Sequence, residues 1–164
     1  MFNVLKCRHR RVVQLPESMH ALGALRQLNL AIEKSEGDPK ATERRKGVTI
    51  DIAYRYMRAR LLQNGERWAE AGQDWEKVWE HRSSLPDYQQ ALVAMYSTYN
   101  AIQPNSGAKG LDLKSRILFA LNTFKAHSTI VKHSDLTHKL ELLESINAGE
   151  AGLSLPKLDF DIVE

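Results

Sequence analysis

The clearest helical pattern in the chain is SSLPDYQQALVAMYSTYNAI, residues 83–102. Its apolar side chains recur at steps of three and four residues, which places them on one face of an α-helix. Pro86 suits the first turn of such a helix, because proline lacks the N–H group that would be unsatisfied there. Ser83 and Ser84 precede it as candidate capping residues. The stretch therefore predicts an amphipathic helix whose inward side chains are Tyr88, Ala91, Leu92, Met95, Tyr96, Tyr99 and Ile102.

On the N-terminal side of this stretch, the same periodicity predicts helices at about residues 18–36, 48–62 and 66–81. The last two are separated by Asn64-Gly65, a pair that supplies the left-handed residue with which many helices end. We expect these two helices to form an antiparallel hairpin. No second copy of the hairpin follows at a period of 34 residues, so the chain is not a tetratricopeptide array.

On the C-terminal side, residues 103–110 predict a loop, because they include the helix-breaking residues Pro104, Asn105, Gly107 and Gly110. Asp112 and Ser134 are candidate caps of two further helices, which glycines and a proline end near residue 149. Only residues 11–15 and 158–163 have the alternation of a strand.

Composition agrees with one globular domain, since 43% of the 164 residues are hydrophobic and 26% are charged. The predicted fold class is all-α, a single compact domain of five to six helices that includes the central hairpin. Its parts are a basic N-terminal arm at 1–16, a helical domain at 17–148 and an acidic C-terminal tail at 149–164. Both ends are expected to be irregular.

No apolar run approaches the eighteen or so residues that a membrane-spanning helix needs, so we expect no membrane association. The apolar start of the chain is too short for a secretory signal, and its basic residues follow rather than precede it. Cys7 is the single cysteine and has no internal disulfide partner. We therefore expect a cytoplasmic protein.

Charge is divided unevenly along the chain. Residues 1–67 carry fourteen Lys and Arg against seven Asp and Glu, whereas residues 68–164 carry nine against thirteen. A basic half attracts phosphate groups and acidic surfaces. The candidate contacts to nucleic acid or to an acidic partner are Lys6, Arg8, Arg10, Arg11, Arg44, Arg45, Lys46, Arg55 and Arg58.

Three tryptophans follow helical spacing in the segment 66–81. We expect Trp75 in the core, whereas three indoles are hard to bury completely in one small domain. Tryptophan is also enriched where proteins bind one another. The candidate contacts to a protein partner are therefore Trp68 and Trp79, together with Asp159, Phe160 and Asp161 of the acidic tail.

Residue types that carry catalysis or metals are present without the required spacing. The three histidines His127, His133 and His138 do not share a helical face, which argues against zinc. The carboxylate pairs Glu70 with Asp74 and Glu76 with Glu80 resemble a solvated helix surface. No known nucleophile, metal or phosphate-loop motif occurs. We predict no catalytic residue, no metal site and no cofactor.

These observations predict a non-enzymatic helical interaction or adaptor protein whose principal partner is another protein. One version is an accessory factor of a nucleic-acid machine, of the replication or helicase-loading type, with the basic half toward nucleic acid. The alternative is a direct DNA- or RNA-binding module that uses the basic N-terminal half. The apolar surplus of the first and fourth helices is also compatible with a homodimer.

Overall fold

The computed structural model describes residues 17–36, 44–45, 48–127, 133–150 and 152–153, with side chains for 22–36, 51–127, 136–150 and 152–153. These residues form six α-helices, one 3₁₀ turn and a two-stranded antiparallel hairpin. In chain order the elements are α1 (Glu17–Glu36), β1 (Arg44–Arg45), β2 (Val48–Thr49), α2 (Ile50–Asn64), α3 (Trp68–Glu80), the 3₁₀ turn (Arg82–Ser84), α4 (Asp87–Ala101), α5 (Leu113–Ala126) and α6 (His133–Asn147). The predicted all-α fold class is confirmed.

Helix α4 is the centre of the fold. Every residue from Ala91 to Asn100 is buried, so the helix is covered on all sides rather than on one face. Trp75 of α3 and Phe124 of α5, both fully buried, belong to the core that surrounds it. A helix that is buried all round lies in the middle of a domain. The clearest helical pattern of the sequence therefore marks the element on which the others pack.

Helices α2 and α3 form the predicted antiparallel hairpin. The connection closes α2 with two hydrogen bonds: the Glu66 N–H donates to the Gln63 carbonyl, and the Arg67 N–H donates to the Leu62 carbonyl. This is the Schellman arrangement. The left-handed residue in it is Glu66, at φ +58°, and not Gly65 as the sequence suggested. The end of α2 was predicted correctly, but the left-handed residue was placed one position too early.

The hairpin approaches α4 closely at a glycine. A Cβ atom on Gly72 would lie 3.2 Å from Nδ2 of Asn100, closer than nearly all such contacts. That amide donates to the Trp68 carbonyl at 2.8 Å. On the α2 side, the Gln63 amide donates to the Tyr96 carbonyl at 2.8 Å. Buried side-chain amides thus connect three helices at this level of the core, and each has its hydrogen bond.

The ends of the C-terminal helices α5 and α6 are closed by different groups. The Asp112 carboxylate accepts a hydrogen bond from the Ser115 N–H, so Asp112 caps α5 as predicted. Ser134 is not a cap, because α6 begins at His133. Gly149, at φ +74°, closes α6 with the same Schellman bonding that Glu66 provides for α2. Beyond it, the Leu153 carbonyl accepts a hydrogen bond from the Tyr99 hydroxyl at 2.8 Å.

Other sequence-based details were also wrong. Val48 and Thr49 pair with Arg45 and Arg44 as short strands instead of starting α2. Ser83 and Ser84 lie in the 3₁₀ turn, and Pro86 precedes α4 without any side-chain cap. The strand-like segments 11–15 and 158–163 lie outside the described residues. None of the helices described has both the length and the apolar character to cross a membrane.

Candidate functional site

The predicted basic contacts fall into three groups. Lys6, Arg8, Arg10, Arg11 and Lys46 lie outside the described residues, as do the tail residues Asp159, Phe160 and Asp161. The backbone of Arg44 and Arg45 forms β1, while their side chains are not described. Arg55 and Arg58 are the candidates whose side chains the structure places. A role for any of these residues in binding nucleic acid stays a prediction.

Arg55 and Arg58 lie on α2 and bind a carboxylate of α3. The Arg58 guanidinium makes two hydrogen bonds to Asp74, at 2.6 and 2.7 Å, and Arg55 adds a third at 3.3 Å. The same two arginines reach back to α1 through Glu36 and Asn29. The cluster therefore joins α1, α2 and α3.

Asp74 was expected to be solvated, and this expectation is wrong, because only 1% of its side chain is exposed. Asp74 directly precedes the buried Trp75 in α3. The sequence of α3 alone does not show that two arginines of α2 bind its carboxylate. The hydrogen bond from Arg58 to Asp74 holds the pKa of the guanidinium above its ordinary value. Arg55 also pairs with Asp51, four residues earlier on its own helix.

A second ion pair, between a buried arginine and a partly exposed glutamate, joins α3 to α5. Both terminal nitrogens of Arg116 donate to the Glu76 carboxylate at 2.7 Å, and the arginine is 6% exposed. The sequence treated Glu76 as part of an ordinary charged surface; its side chain is 35% exposed, and what the sequence did not show is its pairing with an arginine of another helix. Glu70, by contrast, is exposed and pairs with the exposed Arg67 three residues before it. Asp74 and Glu76 therefore serve as acceptors in ion pairs between helices.

The tryptophans divide between core and surface. Trp75 is fully buried and stacks against Tyr96, with ring centroids 5.7 Å apart, which confirms the core prediction. Trp68 is partly buried and places its ring edge-on to Tyr99 at 6.1 Å. Trp79 is also partly buried, and it lies at the far end of α3 from Trp68.

Around Trp79 the structure assembles an aromatic–arginine patch, which we define as Trp79, Arg82, Arg116 and Phe119. The Phe119 ring meets the indole edge-on, with centroids 6.2 Å apart. The guanidinium carbons of Arg82 and Arg116 lie 4.2 and 4.7 Å from the indole centroid, within cation–π distance. Phe119 is 36% exposed, and its neighbour Leu118 is 47% exposed.

Sequence reasoning missed Phe119. The residue lies between Ile117 and Ala120, two buried positions of α5, so its outward direction is visible only from its helical angle. Its helical angle, which places an aromatic side chain away from the inward face of α5, was the signal that could have identified it. Trp79, in contrast, was predicted as a candidate contact, because three indoles are hard to bury completely in one small domain.

Comparison of the chain with models of protein families, with curated proteins and with solved structures gives no match.

The remaining candidate sites do not form a ligand set among the described residues. No three His, Cys, Asp or Glu side chains gather at metal-binding distance in the part of the chain that is described. His127 contacts the Thr123 carbonyl through Nδ1, and His138 is exposed near Glu141. The side chain of His133 is not described.

A cleft of about 740 Å³ opens between α3 and the loop that follows α4. Its wall carries cations such as Lys77 and Lys109 beside the carboxylates Asp74, Glu76 and Glu80. Since charges of both signs line the cleft, it does not favour a phosphate group over a cation. The segment 105–110 forms a loop as predicted, with left-handed backbone at Asn105, Gly107 and Gly110.

Proposed function

We propose that the chain is a non-enzymatic helical interaction protein that docks on a protein partner through the aromatic–arginine patch. The observation that carries the proposal is the exposed Phe119 ring held against Trp79, with two guanidinium groups over the same indole. Tryptophan and arginine dominate the binding energy of protein interfaces. The patch brings Trp79 and Arg82, both partly exposed, beside the exposed Phe119, while the buried Arg116 lies against the indole and is held by Glu76.

The chemistry of the patch indicates what the partner offers. Phe119 and Leu118 present apolar area, and burying such area drives association. Among the described residues, Arg82 has no carboxylate within ion-pair distance and donates instead to the Trp79 carbonyl. A partner segment with an apolar side chain beside an Asp or Glu would satisfy both features. We therefore propose an acidic, apolar protein segment as the partner.

The arrangement of the described carboxylates supports the non-enzymatic part of the proposal. Asp74 and Glu76, the acids that line the cleft most deeply, are held by guanidinium groups. Acid or base catalysis needs a carboxyl group free to exchange its proton with a substrate. These two groups act as structural acceptors.

The accessory role in a nucleic-acid machine stays a prediction that rests on the charge difference between the two halves of the chain. Direct binding of DNA or RNA stays the alternative. Reversing the charges of Arg44, Arg45 and Lys46 tests it, because loss of phosphate contacts weakens affinity and its salt dependence. Unchanged affinity with intact helical circular dichroism would remove these residues from the contact surface.

The experiment for the proposed function is site-specific photo-crosslinking in cells that make the full chain. A photoreactive amino acid replaces Leu118 beside the patch, and, as the matched control, Leu22 on α1, which is 66% exposed. We expect one protein to crosslink at position 118 and not at position 22. Equal crosslinking at both positions, or none at position 118, would contradict the patch as the docking surface.

A further inference from the structure

Arg116 on α5 connects the aromatic–arginine patch to the wall of the cleft beside α3. Its guanidinium carbon lies 4.7 Å from the centroid of the Trp79 indole, inside the patch. Its terminal nitrogens Nη1 and Nη2 donate to the two carboxylate oxygens of Glu76 at 2.7 Å, and Glu76 lines the cleft. One side chain thus contacts a residue of the proposed docking surface and a residue outside it.

The ion pair with Glu76 allows Arg116 to remain buried. Arg116 is 6% exposed and keeps its positive charge, because arginine does not lose its proton in proteins. Nη1 also donates to the Ser97 hydroxyl at 3.3 Å. In the described part of the chain, no other carboxylate lies within ion-pair distance of this guanidinium. Without Glu76, a hydroxyl and a ring face would replace only a small part of the hydration that burial removes.

The two guanidinium groups over the Trp79 indole are held in different ways. Arg82 donates through Nη1 to the Trp79 carbonyl at 2.9 Å, three residues before it, so its position follows from the local backbone. Arg116 comes from another helix, and the two parallel hydrogen bonds to Glu76 fix the plane of its guanidinium. Glu76 and Trp79 are three residues apart on α3, which makes them neighbours on the helix surface. The position of Glu76 therefore determines where Arg116 lies against the ring.

We propose that Glu76 is a positioning residue of the docking surface: through Arg116 it holds the Trp79 indole in the orientation that the partner binds. This inference rests on the proposed function of the patch, and it assigns to the patch a residue that lies outside it. A surface that is ordered before the partner arrives loses less freedom on binding, which raises affinity. The ion pair between α3 and α5 thus contributes to binding without a contact between Glu76 and the partner.

Loss of the Glu76 charge is expected to displace Arg116. In Glu76→Gln the amide keeps one acceptor oxygen and turns an NH₂ group toward the other guanidinium nitrogen, so the two parallel hydrogen bonds cannot both form. The buried guanidinium then moves toward water and away from the indole. Trp79 keeps its contact with Arg82 and loses the one with Arg116, which leaves the ring less firmly oriented beside Phe119.

The first test needs no partner. Two-dimensional NMR of the full chain records the indole Nε1–H resonance of Trp79, which is assigned from its loss in Trp79→Phe. We expect Glu76→Gln to shift this resonance and to leave that of Trp68, at the other end of α3, in place. The matched control is Glu80→Gln, which removes an exposed carboxylate next to Trp79 whose ion pair is with the exposed Lys77. A Trp79 shift no larger in Glu76→Gln than in this control would overturn the inference.

The second test is the dissociation constant of the protein that crosslinks at position 118. We expect Glu76→Gln to raise it about tenfold, because the indole then has to be ordered on binding, and Glu80→Gln to leave it unchanged. Beside Arg116→Met, the effect of Glu76→Gln is expected to fall below about twofold, since no guanidinium is left to position. An equal effect in both backgrounds, or an unchanged dissociation constant for a folded Glu76→Gln chain, would overturn the inference.

The two tests separate this inference from the proposed function. Absence of a crosslinked protein at position 118 contradicts the proposed function, and the inference falls with it. A crosslinked protein together with an unmoved Trp79 resonance overturns the inference alone. A loss of stability without a positioning role would leave both readouts of the folded chain in place. If Glu76→Gln fails to fold, Glu76→Asp replaces it in both tests, because it keeps the charge and withdraws the carboxylate by one methylene group.

Discussion

At the residue scale, Asp74 shows how one buried side chain joins three helices. Its carboxylate accepts hydrogen bonds from Arg55 and Arg58, and these arginines also contact Glu36 and Asn29 of α1. Removing one member of a buried ion pair leaves the other charge buried without a partner. The resulting loss of stability exceeds the net stability that the pair contributes. Asp74 is therefore the carboxylate that both arginines share, and the most buried one in this cluster.

Replacing that carboxylate is a direct test. We expect Asp74→Asn to lower the free energy of unfolding by about 3 kcal/mol, because Arg58 loses its one carboxylate among the described residues and Arg55 keeps only Glu36 and Asp51. The matched control is Glu70→Gln on the same helix, whose exposed pair with Arg67 is expected to contribute less than about 1 kcal/mol. Urea unfolding measures both variants. Equal losses for the two substitutions would show that Asp74 is solvated.

The cap that Asp112 forms at the start of α5 depends on pH. Hydrogen bonds from the Ser115 hydroxyl, and then from the Ser115 N–H, hold the pKa of the Asp112 carboxyl below its ordinary value. A lowered pKa means that the cap is complete above the ordinary aspartate range, near pH 4, and is lost as the pH falls through the lowered pKa.

Ser115→Ala removes the larger of these hydrogen bonds. We therefore expect the pKa of Asp112 to rise toward its ordinary value in this variant, measured by NMR titration of the carboxyl carbon. Lys114→Gln is the control, since the charge of Lys114 makes the smallest contribution to the shift. A larger rise with Lys114→Gln than with Ser115→Ala would contradict the account of the cap.

At the element scale, the two Schellman closures differ in the residue that takes the left-handed position. Gly149 adopts it after α6 without a steric cost, whereas Glu66 adopts it after α2 with a Cβ atom that crowds the backbone. The α2–α3 hairpin forms despite this strain, because Arg58 and Tyr56 of α2 contact Asp74 and Trp75 of α3.

Glu66→Gly is accordingly expected to stabilise the chain, by up to about 1 kcal/mol, since relief of the strain exceeds the added freedom of the unfolded chain. Gly65→Ala serves as the control. Gly65 does not have left-handed backbone, and a Cβ there would meet only carbonyl oxygens at 3.7 Å, so a change within about 0.5 kcal/mol is expected. Thermal unfolding of both variants measures this, and a destabilised Glu66→Gly chain would refute it.

Helical periodicity was sufficient to find the six helices, but not the short strands β1 and β2. The spacing of Tyr88, Met95 and Tyr99 identified α4, although the helix begins at Asp87, after the predicted caps Ser83 and Ser84. Breaks at glycine and proline separated the helices. The caps were less predictable, because Ser134 and the serines before Pro86 have capping chemistry without the backbone position that capping needs.

The candidate site was harder to predict because its geometry comes from contacts between helices. Trp79 was named because three indoles are hard to bury in one small domain. Phe119, however, belongs to α5, and the sequence does not show that the two rings meet. Asp74 was missed for the same reason, since the arginines that bury it belong to α2. Local sequence patterns predict the helices, whereas the contacts between helices depend on how the helices pack.

At the scale of the whole molecule, the core is continuous around α4. Buried residues from α2 to α6 belong to one cluster, and Trp75 is the largest fully buried side chain in it. Helix α1 contributes to a smaller cluster, in which Leu28 packs with Met57 and Leu61. The molecule thus has one principal core with α1 attached to its side.

Trp75→Ala tests this description of the core. Removal of a fully buried indole is expected to lower the free energy of unfolding by about 3 to 5 kcal/mol, because the lost contacts leave a cavity. The ring stacks on Tyr96 and meets Tyr56 edge-on, so little space is available for neighbours to refill. Chemical denaturation provides the value, and a loss below about 1 kcal/mol would mean that the ring is not part of the core.

The function proposed for the molecule depends on the aromatic–arginine patch, and the affinity of the crosslinked partner tests it most directly. With that partner purified, the dissociation constant is measured for the unchanged chain, for Phe119→Ala and for the control Leu22→Ala. We expect Phe119→Ala to raise the dissociation constant about thirtyfold, the effect of an interface side chain that contributes about 2 kcal/mol, and Leu22→Ala to leave it unchanged. An unchanged dissociation constant for a folded Phe119→Ala chain would contradict the proposal.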